Sequence, residues 1–178
     1  FHCLRLTSSH LIYDIPIFDV VSPAVSYAHH ISITRKIGVI GTYSTICSKA
    51  YTQFFKDIKS DCHIIERSCP LFVPLIEEGW SDMFVVKDIA HIYLNSFNKT
   101  DIDTLILGCT HYPIISKIIQ KIVGNHVQLV YSGKTVGNKL MTYLEQNNCQ
   151  NNSENLSKTQ FYVTDFPQKF DELGSRFL

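Results

Sequence analysis

Thr104-Leu105-Ile106-Leu107-Gly108-Cys109-Thr110-His111-Tyr112-Pro113 decides the fold. A short apolar, partly β-branched run ends in a glycine, a thiol and two polar side chains, and a helix-period pattern begins at Ile114. A buried strand therefore feeds directly into a helix, with Cys109 on the turn between them. The helix is expected from Pro113 to about Val123, with Pro113 suited to its first position. Ile114, Ile115, Ile118, Ile119 and Ile122 make its apolar face, and Lys117 and Lys121 fall opposite. Helix-start N–H groups and His111, two residues on, would both favour the Cys109 thiolate, and the same N–H groups can hold a carboxylate. A lone cysteine in a strand reads as a structural, buried thiol. Gly108, Thr110, His111 and Pro113 around it turn the reading toward function.

Outward from this stretch the pattern repeats. Asp14 to Val21 reads as a strand entered through Pro16, punctuated by Ser22-Pro23, and Ala24 to His30 starts a helix. Lys36 to Thr42 is apolar enough for a central strand, followed by a helix from about Thr45 to Lys59 with Ala50, Phe54 and Ile58 on one side. Cys62 to Arg67 is a third strand. An amphipathic helix over Asp82 to Phe97 would turn Phe84, Val85, Ile89, Ile92 and Tyr93 to a core. Another strand, His126 to Tyr131, leads through Ser132-Gly133-Lys134 into a helix ending near Gln146. Asn147 to Ser157 is a polar loop; Gln160 to Thr164 reads as a strand, and a last helix carries Phe170, Leu173 and Phe177. Strands alternating with helices imply a parallel sheet covered on both sides.

The chain of 178 residues is long enough to bury a core, and with 45% hydrophobic and 18% charged residues it is globular. Sixteen basic residues balance sixteen acidic ones, which removes the electrostatic case for nucleic acid or an anionic membrane and points to a small-molecule partner. Six cysteines (Cys3, Cys47, Cys62, Cys69, Cys109, Cys149) lack CxxC or CxxH spacing, so neither a zinc site nor a disulfide framework is expected. Free thiols, no apolar run of bilayer length and no recognisable leader lead to the expectation of a cytoplasmic protein.

In parallel α/β sheets ligands collect beyond the carboxyl ends of strands. That rule selects Thr42 and Thr45, Cys109 to His111, and Ser132-Gly133. Singly, the threonines read as helix caps and Ser132-Gly133 as a turn; their coincidence at one edge is what makes a site. Glu77 and Glu78, within the apolar stretch Leu71 to Trp80, are either solvated charges or a support for the His111 imidazole. Cys47, Cys62 and Cys69 read as structural.

These residues resemble the glutamate racemases of the aspartate/glutamate racemase family. The matching pieces are Lys36-Ile-Gly-Val-Ile-Gly-Thr42 with Thr45, Cys69-Pro-Leu-Phe-Val-Pro-Leu-Ile-Glu-Glu-Gly79, Leu107-Gly-Cys-Thr-His-Tyr-Pro113, Ser132-Gly133 and Phe161-Tyr-Val-Thr-Asp165. Order and spacing agree from about Asp14 to Leu178. The resemblance implies a cofactor-independent, metal-free interconversion of L- and D-glutamate for peptidoglycan synthesis. Two thiols flank the substrate's α-carbon, one taking a proton and the other returning one. Cys109 would be one of them, with His111 assisting it and Glu77 or Glu78 supporting His111. Thr42, Thr45 and Thr110 would bind the substrate's carboxylates and amine.

The implied fold class is α/β, with parallel-sheet, flavodoxin-like domains in a two-domain racemase architecture whose first domain is incomplete. Residues 23–131 would be the near-complete domain carrying Cys109, and 1–22 and 132–178 the remnant of its partner. The family's upstream Cys-Asn-Thr and Asp-Ser segments have no match; Cys3 lies near the first but is followed by Leu4 and Arg5. Tyr131 stands where an acidic residue is usual. The expectation is therefore a truncated chain with impaired or absent activity and glutamate as partner; a homodimer is one assembly open to it, and the sequence does not fix the oligomeric state. A related racemase acting on aspartate or a hydantoin, and a non-catalytic fragment that only binds, are the alternatives.

Overall fold

The computed structural model describes residues 16–151, 160–164 and 167–175. Four strands, β1 (Lys36–Gly41), β2 (His63–Ser68), β3 (Thr104–Leu107) and β4 (Gln128–Tyr131), form one sheet in the order β2-β1-β3-β4, parallel throughout. The chain runs outward from β1 to β2 and then crosses back to β3, so the order reverses between β1 and β3. Register pairs Ile40 with Leu107 there, which puts the residues after both strands side by side at the sheet's carboxyl edge. A crevice at such a reversal is where open α/β sheets bind ligands.

The central strands β1 and β3 are buried on both faces because each face is covered. On one side Ile37, Val39, Ile106 and Val130 pack with α1 (Val21–Ile31) and α3 (Ala50–Asp57) through Ala24, Val25, Ala28, Tyr51 and Phe55. On the other, Ile40, Leu105, Leu107 and Leu129 meet α4 (Phe72–Glu77), α5 (Phe84–Leu94) and α6 (Ser116–Val123). A short helix, α2 (Tyr43–Cys47), follows β1, and α7 (Ser132–Gln146) follows β4. The chain divides into two units, residues 1–140 and 141–178. The second holds the end of α7 and α8 (Pro167–Gly174), with the rings of Phe161 and Phe170 6.0 Å apart.

Several local expectations change. Residues 16–20 form no strand and α1 begins at Val21, because the Asp19 carboxylate accepts the Val21 and Ser22 N–H groups and Pro23 sits in the first turn, where its missing donor costs nothing. Asp14 and Ile15 lie outside the described residues. The single helix expected over 45–59 is two, separated at Ser48 and Lys49. Ser48 Oγ donates to the Thr45 carbonyl at 2.7 Å, and Lys49 adopts φ 55°. The buried pair on α3 is Tyr51 and Phe55, with Ile58 exposed. In α5 the buried line is Val86, Ala90 and Leu94, flanked by Val85, Ile89 and Tyr93, while Phe84 and Ile92 face solvent. Residues 160–164 are exposed and join no strand among the described residues. Of the last helix's expected stripe, Phe170 is exposed, and Phe177 lies outside the described residues.

Candidate active site at the carboxyl edge of the sheet

Gly108 makes the strand end possible. Its N–H donates to the Ile40 carbonyl at 2.8 Å, and an added Cβ would stand 2.8 Å from that same oxygen and 3.0 Å from the Tyr51 ring. Only a residue without a side chain lets β3 run this close to β1 and still turn Cys109 outward. Ser132 holds the same turn from the other side, its Oγ donating to the Leu107 carbonyl at 3.1 Å and lying 3.3 Å from the Tyr51 hydroxyl.

Cys109 is half-buried, and His111 Nδ1 lies 3.9 Å from its sulfur and 3.4 Å from Thr110 Oγ1. The other imidazole nitrogen, Nε2, is 3.4 Å from Glu77 Oε1 at the end of α4. Glu77 makes this contact with His111, and Glu78 follows it as the exposed helix cap. Tyr112 ties the two segments together, its buried hydroxyl donating to the Cys69 carbonyl at 3.0 Å while its ring packs edge-on against Phe72.

The expected helix start at Pro113 is a 3-10 turn over Tyr112–Ile115, and α6 begins only at Ser116. The thiol consequently lacks the full dipole of a long helix. Burial pushes Cys109 up, and this outweighs the N–H groups of His111 and Tyr112, which pull it down; the Glu77 charge adds to the rise. Burial thus works against the thiolate that the helix-start N–H groups would favour, while the His111 imidazole, beside Glu77, lies next to the sulfur. Cys69 is fully buried and pushed up to about 12, which closes it to proton exchange with a bound molecule.

Thr42 and Thr45 stand beyond β1. Their hydroxyls are 2.9 Å apart, and Thr42 Oγ1 accepts the Thr45 N–H at 3.3 Å as the cap of α2. Gly41 permits this fold-back, since a Cβ there would meet the Thr45 side chain at 3.0 Å. Thr110 is exposed beside His111. A shallow depression of about 380 Å3, lined by Pro113, Tyr131, Gly133 and Lys134, opens at the same edge. Lys134 was not singled out by the sequence. Its position in the first turn after a strand was the available signal, and it sets a cation beside the depression. The edge thus gathers an acid/base chain, paired hydroxyls and a cation, groups suited to a small zwitterionic substrate. Cys3 lies outside the described residues.

Among the described residues, no helix is long and apolar enough to cross a membrane. A family model for Asp/Glu/Hydantoin racemases matches residues 9–136. The glutamate racemase of Geobacter metallireducens is 36% identical over 165 residues, which cover 93% of this chain and 61% of the relative. A solved glutamate racemase isoform from Bacillus anthracis superposes with a TM-score of 0.90 at 29% identity, covering 97% of this chain and 65% of that one. The glutamate racemase of Francisella tularensis, solved in complex with D-glutamate, gives 0.84 at 36% identity over 95% of this chain and 62% of that one. The chain spans about three-fifths of the length of the curated relative. On the family match across most of its length, this chain belongs to the Asp/Glu/Hydantoin racemase family.

Proposed function

We propose that this chain carries one face of a cofactor-independent glutamate racemase site, in which Cys109 exchanges a proton with the substrate's α-carbon. The observation that carries the proposal is the chain Cys109, His111, Glu77 at the reversal point of the sheet, with contacts of 3.9 and 3.4 Å. Glutamate is the substrate because the relatives are glutamate racemases and one of them is solved with D-glutamate.

The chemistry follows from the groups present. An α-hydrogen beside a carboxylate is a very weak acid, so its removal needs a strong, desolvated base and a way to stabilise the developing charge. A thiol that burial holds protonated becomes such a base once His111 takes its proton, and Glu77 stabilises the imidazolium that forms. Thr42, Thr45 and Thr110 offer hydroxyls to the carboxylates and amine. Inversion then requires a second acid/base on the opposite face of the planar intermediate. Cys69, sealed in the core, is not suited to be that group, and the family resemblance places the second thiol in an upstream Cys-Asn-Thr segment. Cytoplasmic supply of D-glutamate to peptidoglycan is the role that fits such a reaction.

The test is solvent exchange. Incubated in deuterium oxide with L- or D-glutamate, the chain incorporates deuterium at the α-carbon of at least one enantiomer, and Cys109→Ala loses that incorporation. A folded chain that exchanges neither enantiomer would sink the proposal.

A further inference from the structure

At the opposite, amino edge of the sheet three donor side chains meet that sequence spacing gave no reason to connect. His29 comes from the last turn of α1, while Asp61 and Cys62 belong to the loop entering β2. One ligand atom from each lies within 4.8 Å of the other two. His29 Nδ1 is 3.6 Å from Cys62 Sγ. Two ligands at zinc's usual distances, separated by a tetrahedral angle, are about 3.6 Å apart, so this pair already has the edge length of a zinc tetrahedron. Asp61 is largely exposed and can swing its carboxylate inward without disturbing the core.

We propose that His29, Asp61 and Cys62 form a binding site for a zinc-like divalent cation, separate from Cys109. Thiolate, imidazole and carboxylate together select a borderline-soft ion over magnesium or calcium, which take oxygen ligands. Three protein ligands leave a fourth position for water. Ser60 Oγ, 3.0 Å from His29 Nδ1, exchanges that hydrogen bond for the metal and is placed to hold the bound water. On binding, the Cys62 thiol loses its proton to solvent and its sulfur forms the metal bond, so cation uptake releases one proton.

The backbone is already set for this. The Cys62 N–H donates to Ser60 Oγ at 3.1 Å, the Ser60 N–H to the Phe55 carbonyl at 2.9 Å, and the His63 N–H to the Arg35 carbonyl at 2.7 Å. Arg35 opposes the cation. Its Nε is 3.8 Å from Asp61 Oδ2, an exposed pairing that is weak and readily given up, while its Nη1 donates to the His29 carbonyl at 2.7 Å.

Cobalt(II) titration of the full chain tests the site, because cobalt reports both tetrahedral geometry and thiolate ligation by its absorption. One equivalent should produce visible d–d bands with a thiolate-to-metal charge-transfer band, and zinc should abolish both. His29→Gln and Cys62→Ser should weaken binding about a hundredfold, and the charge-transfer band should vanish in Cys62→Ser. Asp61→Asn, at an exposed position that leaves the fold alone, should weaken it about tenfold. Arg35→Gln should tighten it several-fold, and Cys109→Ser should bind as the parent chain does. A parent chain without stoichiometric bands, a charge-transfer band that survives Cys62→Ser, or an Asp61→Asn affinity equal to the parent's would overturn the proposal.

Discussion

The two ends of β3 are built to opposite standards. At its amino end, Asp103 accepts four hydrogen bonds, from Ser32 Oγ, the Ile33 and Thr34 N–H groups and Thr104 Oγ1, all between 2.6 and 2.9 Å. At its carboxyl end, the contacts that link Cys109, Thr110, His111 and Glu77 run from 3.4 to 3.9 Å. Short, saturated bonds spend a carboxylate on holding the chain in place. The longer ones are the contacts that the proposed proton transfer would shorten when a substrate binds. The difference separates what fixes the strand from what the strand presents.

The largest effect that would break this contrast is on chemistry. Cys109→Ala should lower α-hydrogen exchange by about a thousandfold, measured by deuterium incorporation, with an unchanged melting temperature. Exchange in the parent chain should rise as the pH climbs past neutrality, because burial holds Cys109 protonated and only the deprotonated sulfur can act as base. A rate that falls with rising pH over that window would contradict the assignment.

Next in size is the hinge between the two ends. Gly108→Ala drives a methyl group against the Ile40 carbonyl and the Tyr51 ring and should cost about 2 to 3 kcal/mol, read as a melting temperature lower by about 6 °C.

At the amino end, Asp103→Ala should cost about 2 kcal/mol without touching exchange beyond the loss of folded protein. Burial pulls the Asp103 carboxyl up, but the Thr34 N–H, the Ser32 and Thr104 hydroxyls and the Ile33 N–H outweigh it and hold it below its ordinary value. Its folded value is therefore lower than its unfolded value of about 3.9, so its contribution is complete above that pH and is lost as the pH falls through the folded value. Stability of the parent chain should thus fall as the pH drops below about 3.9, and Asp103→Ala should flatten that limb. The smallest effect belongs to Glu77→Gln, about tenfold on exchange with stability unchanged, because the pair with His111 is partly exposed and acts on orientation.

How much of this was legible in the sequence depends on the range of the interaction. The strand, glycine and thiol at 104–109 could be read directly, because apolar runs and glycine report local geometry. The sheet followed from alternation alone. Two features were not legible. Phe84 and Ile92 look like core residues by period, yet the face of α5 that packs is fixed by α4 and α6, one residue further round. The upward pull on the Cys109 thiol depends on how deeply the end of β3 is buried, which cannot be counted along a chain. The contact of Glu77 with His111 likewise needed the packing of α4 against the turn after β3. His29 and Cys62 show the same limit, since only the packing of α1 against the loop before β2 brings them together.

The most direct test of the central claim is proton NMR of glutamate's α-position in deuterium oxide with the parent chain and with Cys109→Ala at equal folded concentration. The account predicts α-deuterium incorporation by the parent from at least one enantiomer and about a thousandfold less by the variant. Equal incorporation by both would show that Cys109 does not carry the proton.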